Sequence, residues 1–372
     1  MLAAWPLLRC LPLALSGAGN QVVVFAHAQR DATRIVDGTE YRFVNPGWLA
    51  GVGGRRLNRW KPRHGAAYYF PATRLVRALR KLEPDVVHFG GLTLDLQLAQ
   101  VARACERMSV PLVAHFHGGT PALGQMLRVQ RYNAERVSRV LVTTAEQAEP
   151  WIAAGLYDSA QFAQVIETSS PFLAIDRHVA RARTGMVGDP VYLSAGRLHQ
   201  IKDPLTMLGG FERIVKLQTD ARLYLYYLTS ELLPDIHAFL NARPAIAERV
   251  ELRGRAAPEE MEAIYSSADF LLQASRREWS GLSVLEAMSC GCIPIVSDIP
   301  SFRAMTVGGR FGRLFAVGDA NGLAEAAVSV EPDDTAALSR SVRDHFKREL
   351  SFAAMARKID AIYHDLRPDL SV

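Results

Sequence analysis

At 372 residues the chain is too long for one ordinary domain and comfortable for two. Hydrophobic residues make up 49% and charged residues 22%, a globular profile that excludes a disordered chain. The net charge of +5 permits an anionic ligand or a membrane surface, but positive charge is not concentrated beyond Arg55–His64, so nucleic acid is not an expected partner.

The opening MLAAWPLLRCLPLALS has the look of a signal peptide, yet it lacks a basic start and is interrupted by Pro6, Arg9 and Pro12. It is expected to be part of the fold, and no run reaches the length of a transmembrane helix. In the first half the expected strands are Gln21–His27, Asp85–Phe89, Pro111–His115, Arg139–Thr143 and Ala163–Glu167, with helices at Pro71–Leu82, Leu94–Met108 and Ala145–Ala154. Thr144 is the expected cap of the last of these. Gly51–His64, rich in glycine and arginine around Trp60, reads as a solvated loop or as one facing an acceptor or membrane. The alternation weakens over Thr168–Pro190 and restarts with Val191–Ala195, Arg222–Leu228, Val250–Leu252, Phe270–Gln273 and Ile293–Ser297. Pro258 sits where a first helical turn tolerates proline. Strands alternating with helices predict an α/β protein with parallel sheets, split into residues 1–170, a linker at 171–190, a second domain at 191–348 and a final segment at 349–372. Cys10, Cys105, Cys290 and Cys292 show neither metal-ligand spacing nor a disulfide framework, so a reducing cytoplasm is the expected compartment.

Three segments carry chemistry. In SRREWSGLSVLEAMSCGCIPIVSD, Glu286 is the one charged residue between Trp279 and Ser297, and a carboxylate among Leu282, Val284, Leu285 and Met288 needs a partner. A ribose diol can supply one; a buried arginine is the structural alternative. Glu278 stands before the Trp-Ser-Gly turn, and Gly281 opens a short helix whose first N–H groups, at Leu282 and Ser283, suit a phosphate. In YLSAGRLHQIKDPLTML, Arg197 and Lys202 follow a strand end, where ligands of open α/β sheets bind; a solvated basic loop is the alternative. In LVAHFHGGTP, His117 lies just past a strand, followed by Gly118 and Gly119, which let a backbone approach a ligand; His88 has a similar strand-end position and His115 reads as structural.

On these motifs the chain resembles the retaining glycosyltransferases of family 4. The resemblance implies the GT-B architecture, two Rossmann-like domains with parallel sheets facing a central cleft. It also implies that Arg197 and Lys202 hold a donor diphosphate, that Glu278 contacts the transferred sugar and that Glu286 binds the ribose. Glu278 and Glu286 match the family's paired glutamates, with seven residues between them. His117 matches the histidine beside sugar and acceptor, with Gly118 and His88 on the same side, and Arg255 falls in the base-contacting loop. Catalytic roles are thus implied for Glu278, His117, Arg197 and Lys202, and donor contacts also for Gly281, Leu282 and Ser283. Ser351–Leu366 looks like the helix that returns to the first domain.

Two departures stand out. LPLALSGAGNQVVVFAHA matches the helix, turn and second strand of the family, so the N-terminal domain is expected to lack the first strand and glycine-rich loop. VIETSSPFL replaces the usual asparagine-glycine turn before the linker. The implied activity is metal-independent transfer of a sugar from a nucleotide-diphosphate sugar, a substrate rather than a cofactor, to a glycan or lipid-linked acceptor, with peripheral contact at the inner face of the membrane. A catalytically silent subunit that binds a nucleotide or a partner, and a sugar-nucleotide epimerase, are the competing readings.

Overall fold

The structure is a computed structural model that describes residues 6–45 and 72–370. The Gly51–His64 loop lies outside the described residues. The chain divides into two compact units, Met1–Glu167 with Met355–Val372, and Thr168–Ala354.

The first unit opens with a helix at Pro6–Gly17, which accommodates Pro12 and buries Leu11 and Leu15. Its strands fall into two sheets. The smaller has the order β1 (Val23–His27), β3 (Thr39–Val44), β2 (Ala32–Val36), with β1 parallel and β2 antiparallel to β3. The β2–β3 hairpin was not among the expected strands. It turns on Asp37 and Gly38, both at positive φ, the aspartate-glycine pair that matches the twist of a tight hairpin. The larger sheet is wholly parallel, in the order β4 (Val87–Gly90), β5 (Leu112–His115), β6 (Arg139–Val142), β7 (Phe162–Gln164). Leu112, Val113, Ala114, Val140 and Leu141 are fully buried, and the Asp95–Met108 helix adds Leu98, Val101 and Ala102. Such continuous apolar strands follow when both faces of a sheet are covered.

The helix expected at Ala145–Ala154 is broken into a 3-10 turn, Ala145–Gln147, and a short helix, Glu149–Ala153, because Pro150 can begin a helical turn but cannot continue one. Thr144 does not cap it with its side chain; the Gln147 side chain instead accepts the Thr143 N–H at 2.9 Å. The closing helix, Phe352–Leu366, belongs to the first unit from Met355 onward. There Asn20 donates to Asp360 at 2.6 Å, Arg139 pairs with Asp365 at 2.9 Å and Tyr363 meets His88 at 2.6 Å.

The second unit is a six-stranded parallel sheet in the order β10 (Val250–Gly254), β9 (Arg222–Tyr227), β8 (Val191–Gly196), β11 (Phe270–Gln273), β12 (Ile293–Ser297), β13 (Arg313–Phe315). Successive strands run outward from β8 on one side and from β11 on the other, so the topological switch point lies between those two. The segment expected as a linker at 171–190 is part of this unit. It forms a helix, Arg177–Thr184, whose N–H groups at His178 and Val179 are capped by Asp176. Asp269 ties this helix to the sheet, accepting from Arg177 and Arg181 at 2.7 Å each and from the Val191 N–H at 2.7 Å. Arg177 and Arg181, in the stretch expected as a linker, are therefore partners of one buried carboxylate.

Candidate active site

The switch point puts the ends of β8 and β11 side by side, and the two motifs read from the sequence follow those ends. After β8 the chain makes a 3-10 turn, Gln200–Lys202, and reverses at Asp203, a non-glycine residue at φ +45°. The Asp203 carboxylate caps the Pro204–Leu217 helix at the Thr206 N–H and pairs with Arg276 at 2.7 Å, so the loop is held from both sides. Lys202 points back towards the segment after β11 and forms an ion pair with Glu278, with both side chains mostly buried. Ser275 Oγ donates to the same Oε1 of Glu278 at 2.7 Å. Both contacts use Oε1. Arg197 is exposed at the end of β8 and lines a small hollow with Ser194, Lys202, Tyr226 and Gln273. Gln273, at the end of β11, donates to Ser283 Oγ at 3.2 Å and so ties the strand end to the helix that follows.

Gly281 starts the Leu282–Ser289 helix at φ +60°, and a Cβ there would collide with the Phe302 ring. Glycine is required for this entry, and it leaves the first-turn N–H groups of Leu282 and Ser283 without an upstream carbonyl. One turn further, on the face shared with Leu282 and Ser283, lies Glu286. Its Oε2 accepts from the buried Tyr265 hydroxyl at 2.7 Å, and among the described residues no arginine pairs with it. Burial pushes the Glu286 carboxyl up to about 7, and the Tyr265 O–H works in the opposite direction. The Tyr265 phenol is itself held well above its ordinary value, first by burial and then by the adjacent carboxylate. Glu278 and Glu286 thus share a design: one oxygen is bound by the protein and the other has no partner among the described residues.

Arg255 is exposed just beyond β10, two strands away from β8, and among the described residues no hydrogen bond or ion pair joins it to this cluster.

In the first unit His117 follows the end of β5, with Nδ1 3.2 Å from Glu167 Oε1. Gly118 and Gly119 are both at positive φ, and a side chain at Gly119 would strike Thr93. His88, His115 and His117 form a ladder of rings, with centroids 5.4 Å and 4.9 Å apart. Burial lowers His88 to about 4 and takes His115 well below its ordinary value, so both are neutral.

Four residues that the motifs did not point to enter these sites: Ser275, Gln273, Tyr265 and Glu167. Ser275 and Gln273 stand within a few residues of Glu278 and were within reach of the same strand-end argument. Tyr265 and Glu167 gave no local signal, because their partners lie 21 and 50 positions away.

Among the described residues no group of three or more His, Cys, Asp or Glu is arranged to hold a metal, and no helix is long and apolar enough to cross a membrane.

Residues 11–160 match the model of Glycosyltransferase Family 4, and residues 189–333 match that of Glycosyl transferases group 1. A GDP-mannose:cellobiosyl-diphosphopolyprenol alpha-mannosyltransferase of Xanthomonas oryzae pv. oryzae is 27% identical over 251 residues, 64% of this chain and 62% of the relative. A D-inositol 3-phosphate glycosyltransferase of Corynebacterium aurimucosum is 26% identical over 200 residues, 51% of this chain and 47% of the relative. The chain therefore spans about half to six-tenths of the length of these curated relatives. The fold is that of a sucrose-phosphate synthase from Thermosynechococcus elongatus, with a TM-score of 0.68, 19% identity and coverage of 97% and 92% of the two chains. It is likewise that of HepE from Anabaena in complex with UDP-glucose, with a TM-score of 0.65, 14% identity and coverage of 96% and 95%. By its two matched segments and the GT-B fold it shares with these structures, the chain belongs to the family 4 glycosyltransferases.

Proposed function

We propose that the chain is a retaining glycosyltransferase that moves a sugar from a nucleotide-diphosphate sugar to a hydroxyl of a lipid-linked or polysaccharide acceptor. The observation that carries this reading is the pair of glutamates at the switch point, each with one oxygen held by the protein and one left over, flanking a helix start. Glu286 would take a ribose hydroxyl and Glu278 a hydroxyl of the transferred sugar. Between them the first-turn N–H groups of Leu282 and Ser283 suit a diphosphate.

As the bond between sugar and phosphate breaks, negative charge gathers on the leaving diphosphate. Arg197 can fork two phosphate oxygens, while the Lys202 ammonium has protons to spare beyond its bond to Glu278. Positive groups already in place stabilise that charge without reorganisation, which is where most of the rate enhancement would come from. Arg255 would contact the nucleotide base. His117, Gly118 and His88 would serve the sugar and acceptor side. In a retaining transfer the leaving phosphate takes the acceptor proton, so no separate base is required. The acceptor chemistry would place the reaction at the inner face of a membrane, with the chain bound peripherally.

The relatives support particular substrates to test. The Xanthomonas relative is named for GDP-mannose and a diphosphopolyprenol acceptor, and the HepE structure contains UDP-glucose. Purified protein incubated with GDP-mannose, UDP-glucose and other nucleotide sugars, with and without a polyprenyl-diphosphate-linked sugar, is expected to release nucleoside diphosphate faster with acceptor. The anomeric configuration of the product is expected to match that of the donor. No release with any donor, despite measurable nucleotide binding, would favour the silent-subunit reading, and an isomerised nucleotide sugar without acceptor would favour the epimerase.

A further inference from the structure

The stretch VIETSSPFL differs from the family's asparagine-glycine turn, and its glutamate is the residue that meets His117. We propose that Glu167 is a positioning residue for His117, holding the imidazole in the Nδ1–H tautomer so that Nε2 accepts a hydrogen bond from a carbohydrate hydroxyl.

A carboxylate is an acceptor only, so an unprotonated Nδ1 at 3.2 Å would set lone pair against lone pair. A proton must therefore sit on Nδ1, and it is the Nδ1–H tautomer that leaves a lone pair at Nε2. The pair is sheltered, with 28% of the His117 side chain and 16% of the Glu167 side chain exposed, which strengthens a charge-assisted bond. Glu167 is itself anchored: its backbone N–H donates to Thr143 Oγ1 at 3.1 Å, just past the end of β6. On the other side the His115 ring, tilted by 31°, limits rotation of His117.

The titratable neighbours are Glu167, His115 and His88, with Tyr363 hydrogen-bonded to His88. Burial keeps the two histidines neutral, and Glu167 is the acceptor that faces Nδ1. Nε2 lies beside Gly90, where an added Cβ would stand 3.7 Å away in ordinary van der Waals contact. A lone pair there recognises a donor such as a hydroxyl and disfavours a phosphate oxygen. His117 would thus sort sugar from diphosphate. The identity of the hydroxyl as a carbohydrate's rests on the glycosyltransferase reading; the tautomer does not.

The test is long-range proton–nitrogen NMR of the whole chain labelled with nitrogen-15 at histidine, with the His117 signals assigned by their loss in His117→Ala. The wild-type spectrum is expected to show a protonated Nδ1 and a pyridine-like Nε2, and Glu167→Gln is expected to abolish that preference. Glu167→Gln should also lower kcat about tenfold, the effect of one charge-assisted bond, with UDP and GDP affinity unchanged and Glu167→Asp partly restoring the rate. A wild-type His117 protonated on Nε2 overturns the proposal even if the variant does not fold. So does a folded Glu167→Gln that keeps the Nδ1–H signature or the full rate. If the signature is present and altered by the variant but no nucleotide sugar is turned over, the glycosyltransferase reading fails and the Glu167–His117 tautomer lock stands.

Discussion

Lys202 and Tyr265 hold the two glutamates by different means, a charge in one case and a neutral O–H in the other. Lys202→Ala removes the partner of Glu278 and, with it, the proposed diphosphate contact. The loss of one charge-assisted contact, roughly 1.5–3 kcal/mol, predicts a fall of about ten- to two-hundred-fold in kcat/KM. An unchanged rate in a folded variant would reject the diphosphate role. Glu286 behaves differently because burial raises it to about 7 from 4.5, so the fold favours its protonated form. That contribution is complete below pH 4.5 and is lost as the pH rises through 7, a span on the order of 3 kcal/mol. Urea unfolding across this window is expected to show a shallower pH slope in Glu286→Gln than in the wild type. In the proposed ribose role the hydroxyls donate to the carboxylate form, so nucleotide affinity should rise with pH through the same range. Tyr265→Phe removes the hydrogen bond that favours that form and should move the midpoint upward. Calorimetric titration of GDP or UDP from pH 5.5 to 8.5 reads the shift directly, and an unmoved midpoint would disprove the coupling.

The elements that carry the site are short and stiff at their entries. Gly281→Ala combines a left-handed backbone with a clash against Phe302, so it should destabilise the fold by at least about 2 kcal/mol and weaken nucleotide binding. Denaturant unfolding with a nucleotide titration checks both, and a neutral result would show that the helix start can relax. At this scale the apolar runs Phe270–Gln273 and Ile293–Ser297 were legible to the residue, because strands covered on both faces are continuously apolar. The β2–β3 hairpin was not read, although Asp37-Gly38 marks it, because β2 carries exposed Thr33, Arg34 and Ile35 in place of an apolar run. The Arg177–Thr184 helix escaped for a similar reason. Its arginines look solvated until Asp269, 92 positions after Arg177, is brought alongside.

For the molecule as a whole, the last helix is the element whose membership cannot be inferred from its neighbours in the chain. It buries Met355 and Ile359 completely and gives Asp360, Tyr363 and Asp365 to partners in the first unit. A chain ending at Ala354 should therefore lose several kcal/mol in the first unit, about the cost of removing two buried aliphatic side chains. Hydrogen exchange would show this as lost protection at β4–β6, with β8–β12 protected as before; equal loss in both sheets would contradict the division. The sequence by itself determined the α/β class, the strands of both parallel sheets except the short edge strand β13, and the two motifs that follow β8 and β11, because hydrophobic period and strand-end chemistry are local properties. The tertiary structure alone decided which oxygen of each glutamate is taken, that Tyr265 is the partner of Glu286, and that Glu167 faces His117. Those facts depend on side chains tens of residues apart meeting within hydrogen-bond distance, which no local pattern encodes.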